Sequence, residues 1–257
     1  MKKSLVLFLF VVILLLSGCI PKGNPKDAID TYNKSVLDGD FVTAYDLLSG
    51  QDQDELSREE YEQLQKVNNE ISKCMSLTAT KVKEYDNQFG YKYVTEYDVT
   101  EKWYSYSEEK EYTSTYKRYV VKDGSSWKVF NEGDYKQSLS SAYIELGWMY
   151  LEGKGKAQNL VEAEKNLEKG LAFDSENDYG HYLLGKLYNQ KKMYDKAIFH
   201  EQQALKISKE MDIQSKAYYE LGMAYQGKGD LTKAKESFQK VVEIDPLNEE
   251  AKNKISN

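Results

Sequence analysis

Two histidines, His181 and His200, are the only imidazoles in the 257-residue chain, and they stand nineteen residues apart, outside the helical or turn spacing of paired metal ligands. Neither is set beside a serine or cysteine in a nucleophile elbow such as G-x-S-x-G. Gly153-Lys154-Gly155-Lys156 has the composition of a phosphate loop but not the G-x-x-x-x-G-K-[ST] frame that aims backbone N–H groups at phosphates. The acidic run Asp52 to Glu62 has the density of a calcium loop without the glycine its sharp turn needs, and reads as a solvated loop and helix start. Asp98 and Glu101 fall on opposite faces of one strand by parity and make a poor acid/base pair. Cys74 has no His, Arg or Gly-rich turn beside it to lower its pKa and reads as a small buried hydrophobe. No catalytic residue, metal ligand or cofactor is therefore expected. The residue whose surroundings do prescribe a chemistry is Cys19.

Lys2 and Lys3 precede twelve unbroken apolar residues, Leu5 to Leu16, the n-region and h-region of a secretory signal peptide and too short to cross a bilayer comfortably. Leu16-Ser17-Gly18-Cys19 follows, and it resembles the lipobox of bacterial lipoproteins. That resemblance implies cleavage after Gly18, a diacylglyceryl group on the Cys19 sulfur, and further acylation with chains such as palmitate. Two or more acyl chains hold a protein on a membrane where one would not. The expected layout is a signal peptide over 1–18, a lipidated tether over 19–25, and a body on the extracytoplasmic side of the cell membrane. With Cys19 acylated, Cys74 has no partner for an intramolecular disulfide.

An apolar share of 40% with 30% charged residues is enough for a buried core and excludes a mostly disordered chain. The net charge is −7 with a pI near 5.2, which argues against nucleic acid, since neutralising phosphates takes clustered cations. An acidic body is held at an anionic membrane by its lipid, not by its charge.

From Asn24 to about Asn69 the apolar spacing is helical: Ala28, Tyr32 and Val36 make one stripe. Phe41, Ala44, Tyr45 and Leu48 follow the turn Asp38-Gly39-Asp40. Ser57-Arg58-Glu59-Glu60 reads as a capping box, so three short helices are expected. From Met75 to Phe130 the period falls to two. Tyr91, Tyr93, Thr95, Tyr97, Val99 and Trp103 share one face, and Lys92, Glu96, Asp98 and Lys102 the other. Tyr112 to Val121 suggests a second strand, which Asp123-Gly124 turns back into Trp127-Lys128-Val129-Phe130. Helices followed by an antiparallel meander make an α+β domain over 26–137. It resembles the cone-shaped nuclear-transport-factor-two-like fold, which implies a bent sheet around a helix pair and a pocket under Tyr91, Tyr93, Tyr97 and Trp103.

Beyond residue 138 the chain repeats. Tyr143-x-x-Leu146-Gly147-x-x-Tyr150 recurs as His181-x-x-Leu184-Gly185-x-x-Tyr188 and Tyr218-x-x-Leu221-Gly222-x-x-Tyr225, with Ala163, Ala197 and Ala234 downstream. Ala234, Phe238 and Pro246 complete a pattern that resembles the tetratricopeptide repeat. The first repeat is lengthened between Leu151 and Asn159, and the second has Glu201 where an aromatic is expected and a second helix that reads on through Ile207 to Met211. Residues 138–257 are thus expected to form an all-α helical-repeat solenoid of three repeats with a polar capping helix. The resemblance implies a concave face made by the first helix of each repeat. Carried over position by position, it assigns to that face Ile144 and Trp148, then Tyr182, Lys186 and Asn189, then Tyr219 and Met223. Aromatic anchors beside a lysine and an asparagine suit a peptide with apolar side chains and an acidic or C-terminal group. The function so implied is a membrane-anchored scaffold for an unidentified protein or peptide partner. The alternative is a small-ligand binding protein that uses the pocket in the α+β domain.

Overall fold

The computed structural model describes residues 23–256; the expected signal peptide and Cys19 lie outside the described residues. Helix α1 (Pro25–Asp38) starts as its sequence prescribes. Pro25 takes the first turn, the Asn24 side chain accepts from the Lys26 N–H, and Gly39 closes the helix with a left-handed φ of 76°. Helix α2 (Phe41–Asp46) is followed by an unforeseen one-and-a-half-turn helix, α3 (Gly50–Glu55), capped by Ser49. Helix α4 (Arg58–Ile71) opens with the expected capping box, Ser57 and Glu60 each accepting from the other's backbone N–H. The acidic run is therefore two helix starts with little loop between them, and Asp52 within it is buried.

Four antiparallel strands follow in sequential order: β1 (Ser72–Gln88), β2 (Tyr91–Ser105), β3 (Lys110–Asp123) and β4 (Ser126–Phe130). The register pairs Val94 with Val121, Val99 with Tyr116 and Trp103 with Tyr112, and β3 returns to β4 through Asp123-Gly124 as expected. Strand β1 is the one whose own sequence concealed it. It lies at the sheet's edge and is mostly exposed, so Lys73 to Gln88 carries little of the apolar alternation by which a strand is recognised.

The helices cover one face of the sheet. Ile29 and Tyr32 of α1, Ala44 of α2, Leu48, Leu56, and Tyr61, Leu64 and Val67 of α4 pack with Tyr97, Val99, Val120 and Val129 in one core. The opposite face carries a smaller cluster of Tyr91, Val94, Val121 and Phe130 near the β1–β2 turn. There the polar alternation misleads once. Glu96 belongs to that second face, yet it is 3% exposed, because Lys117 pairs with it and the Tyr85 hydroxyl donates to it.

The solenoid pairs α5 (Tyr135–Glu152) with α6 (Leu160–Phe173), α7 (Asp178–Gln190) with α8 (Tyr194–Ile207), and α9 (Met211–Lys228) with α10 (Leu231–Ile244); α11 (Glu249–Ser256) closes the end. Ala163, Ala197 and Ala234 are buried, and so are Gly147, Gly185 and Gly222. The glycines do not face the alanines, however. A Cβ at Gly147 would meet Leu167 Cγ at 2.7 Å, one at Gly185 would meet Glu201 Oε1 at 2.0 Å, and one at Gly222 would meet Phe238 Cε1 at 2.6 Å. Leu167, Glu201 and Phe238, one turn after each alanine, are thus equivalent wedges, and a side chain at any of the three glycines would overpack the seam at a cost of about 1–3 kcal/mol. Helix α8 ends at Ile207 and does not run on to Met211. The extra residues of the second repeat form a short connection, and Met211 begins α9, where it is 71% exposed.

Helix α5 belongs to both halves. Its Tyr135, Leu139, Ala142, Tyr143 and Leu146 complete the core under α4, while Ile144 and Leu151 belong to the solenoid core. The boundary expected at 137/138 accordingly falls inside a helix that starts at Tyr135. Two further contacts tie this shared helix and the solenoid to the α+β half. Buried Asp52 accepts from the Tyr135 hydroxyl at 2.7 Å and from the Asn131 N–H at 3.2 Å. The lengthened α5–α6 loop turns at Gly155, with φ of 66°, so close to the β2–β3 turn that a Cβ would lie 2.3 Å from the Tyr106 carbonyl oxygen. The four additional residues of the first repeat therefore dock the solenoid onto the sheet.

Candidate functional site

The residues assigned to the concave face come from α5, α7 and α9, and the structure divides them by role. Ile144 is a seam residue and not a groove residue: it is 3% exposed, and Cβ atoms at Gly170 and Gly180 would meet its Cδ1 at 2.7 and 2.5 Å. Its position is filled because those two glycines let α6 and α7 close around it. Trp148 is half-buried against the α6–α7 core, Tyr182 is buried with its ring 5.8 Å from that of Tyr179, and Met223 packs on the terminal cluster. Tyr219 is half-buried with its ring 5.6 Å from Phe238.

The polar members form one clasp at each junction between repeats. Lys186 of α7 donates to Glu152 at the end of α5 at 2.6 Å. Asn189 Nδ2 donates to both the carbonyl oxygen and the carboxylate of Glu220 on α9, each at 2.8 Å. Tyr219 donates to Glu250 on α11. The carboxylates that complete these clasps were not among the assigned residues. Their signal was present as the glutamates one helical turn, or one repeat, away from the aromatic positions, but pairing across repeats is invisible to spacing along the chain.

The resulting field is acidic. Burial pushes the Tyr179 phenol up to about 12, with Glu145, Glu152 and Asp212 adding to the shift. Burial likewise raises Tyr182, with Glu220, Glu201 and Glu152 adding, and Tyr219, with Glu250 and Glu220 adding. Glu220 is itself pushed up by burial, against the opposing pull of Asn189 and Lys186. Glu145 is raised by burial and by Glu108 at the tip of the β2–β3 turn.

Behind this face sit the two histidines and Glu201. His181 Nδ1 and His200 Nδ1 are 3.0 Å apart, and His181 Nε2 lies 3.2 Å from the Ser175 carbonyl oxygen. Burial lowers both, His200 to about 4, so the pair is neutral and shares one proton between its facing nitrogens. The pair therefore packs the seam between α7 and α8. Among the described residues no group of three or more His, Cys, Asp or Glu side chains gathers as metal ligands do. Glu201 is fully buried with neither carboxylate oxygen hydrogen-bonded, and burial raises its pKa well above the usual carboxylate range, with Glu220 adding.

In the α+β domain, the residues expected to line a pocket do not share one. Tyr97 is buried in the core beneath the helices, Trp103 stacks on Tyr112 at 4.7 Å, and Lys92 lies over the Tyr93 ring. Cys74 is half-buried, and burial pushes its thiol up to about 12, with Glu101 adding to the shift. No described helix is long and apolar enough to cross a membrane.

Residues 179–211 and 215–246 match the tetratricopeptide repeat, and the C-terminal half of the chain carries these repeats. Similar solved structures include the repeat domain of OM64 from Arabidopsis, at 17% identity over 47% of this chain and 94% of that one, with a TM-score of 0.43. The first repeat domain of Spaghetti (RPAP3), bound to an HSP90 peptide, is 23% identical over 47% of this chain and 90% of that one, with a TM-score of 0.43. The second repeat domain of human RPAP3, in complex with an HSP70 peptide, is 23% identical over 46% and 95%, with a TM-score of 0.39. No curated protein matches the sequence.

Proposed function

We propose that this chain is a lipoprotein anchored through Cys19 at the extracytoplasmic face of the cell membrane, where its tetratricopeptide repeats hold a protein partner. It is not an enzyme in this reading. The α+β domain, read as a small cone-like fold, is the base that carries the solenoid. The observation behind the docking role is the concave face itself: Trp148, Tyr179 and Tyr219 are half-buried there on three successive first helices, with a polar clasp at each repeat junction beside them. Aromatic side chains that are already ordered can bind without paying the full entropy of being fixed, and such residues dominate binding energy at interfaces. The repeat match at 179–211 and 215–246 supports the same reading, since such repeats are interaction modules.

Two experiments test it. In-cell crosslinking followed by pull-down is expected to recover a partner with the natural chain and to lose it with Trp148→Ala/Tyr219→Ala, with the melting transition retained. Equal recovery from both would remove the concave face from the function. Separately, an alkyne fatty acid fed to the cells is expected to label the natural chain and not Cys19→Ser, which should also shift from the membrane to the soluble fraction. A labelled, membrane-bound Cys19→Ser protein would end the lipid-anchor reading.

A further inference from the structure

Resting on the concave face as the docking surface, we infer that its partner is a cationic segment, one that sets lysine or arginine beside apolar or aromatic side chains between α5, α7 and α9. The charges decide this against the acidic or C-terminal peptide that Lys186 and Asn189 suggested from sequence. Lys186 is already paired with Glu152, and Lys216 with Asp212 at 2.5 Å. Glu145, Glu220 and Glu250 have no ion pair among the described residues, and Glu108 stands near Glu145 at the α5 end. An incoming carboxylate would meet Glu145 and Glu220 with Lys186 and Lys216 already engaged, while Lys235 and Lys254 line the groove beside Glu250. An ammonium or guanidinium would meet complementary potential, which favours encounter and rejects the wrong partner.

A second observation points the same way. A polar atom left buried and unpartnered on α7 is Asn189 Oδ1, which can only accept. Asn189 cannot reverse its amide to relieve this, because Nδ2 is held by the carbonyl and carboxylate of Glu220. That unpartnered acceptor beside Glu220 fits a ligand rich in donors, and guanidinium carries five N–H groups and ammonium three.

The test is selection from a random peptide display library on the immobilised full chain in detergent, followed by affinity measurement of the enriched sequences. The expected outcome is enrichment of Lys/Arg-bearing peptides with apolar neighbours. Their binding should weaken about tenfold or more in Glu145→Gln/Glu220→Gln, with a cooperative melting transition retained, and fall as salt is raised. Acidic or uncharged winners, or basic winners indifferent to Glu145→Gln/Glu220→Gln, overturn the cationic partner. If those winners are still lost with Trp148→Ala/Tyr219→Ala, the docking face itself survives. Winners indifferent to Trp148→Ala/Tyr219→Ala, or no enrichment at all, overturn both readings together.

Discussion

Asp52→Ala is expected to lower the unfolding free energy by about 3 kcal/mol or more, read as a drop in the urea midpoint, because it strips the acceptor from several buried donors at once. The Ser49 hydroxyl donates to Asp52 at 2.5 Å, the Tyr135 hydroxyl at 2.7 Å and the Asn131 N–H at 3.2 Å. Alanine leaves all three facing a dry gap where α3, β4 and α5 meet. Asp52→Asn keeps one acceptor oxygen and should lose roughly a third as much, and Tyr135→Phe, which removes a single donor, about 1 kcal/mol. The loss should be felt in both halves, since Tyr135 is the first residue of the helix they share. A separate early transition of the sheet domain with the solenoid unaffected would show that the Asp52 network does not join them.

The second large effect concerns Glu201. Its buried carboxyl has a folded pKa above its unfolded value, so the folded state keeps a proton that the unfolded state releases. Stability is therefore intact below the unfolded pKa of about 4.3 and is lost as pH rises through the window up to the folded value, at about 1.4 kcal/mol per pH unit while one proton separates the states. Glu201→Met, similar in length and without charge, is expected to stabilise the chain by about 2 kcal/mol at pH 8 and by little at pH 4.5. The groups facing Glu201 sort cleanly. Glu220 of α9 is also raised and acts in the same direction, and the Tyr182 phenol is neutral throughout this range. His181 and His200 are lowered, so they act oppositely, losing stability as pH falls below about 6.5. The difference between Glu201→Met and the natural chain should consequently grow with pH while the histidine contribution cancels. A constant difference across pH 4.5 to 8 would show that Glu201 is ionised in the fold.

Much of the fold is legible along the chain because it is local. The capping box at Ser57 and Glu60, the left-handed close at Gly39 and the Asp123-Gly124 turn depend on residues within four positions of one another. The repeat frame is legible for a related reason. Each unit must present a small residue where its paired helices approach, so Gly147, Gly185 and Gly222 and Ala163, Ala197 and Ala234 recur at near-constant spacing. Strand β1 was hidden because an edge strand that is mostly exposed and packs only Leu77 and Ala79 against the helices needs little apolar alternation. Helix α3 was hidden because its acidic composition is that of a loop, and the Ser49 cap, the burial of Asp52 and tertiary hydrogen bonds such as that from the Gly50 N–H to Asp123 hold it in place.

By itself the sequence determined that helices precede an antiparallel sheet and that helical repeats follow, and it placed aromatic residues on the first helix of each repeat. Only the tertiary structure decided which of those residues are free. Ile144 became a wedge because two glycines from α6 and α7 close on it, and Lys186, Asn189 and Tyr219 became clasps because their acidic partners come from neighbouring repeats. Those partners lie about thirty residues away in the chain, at Glu152, Glu220 and Glu250. Charge acts through space and not along the chain, so the acidity of the concave face emerged only when the repeats stacked.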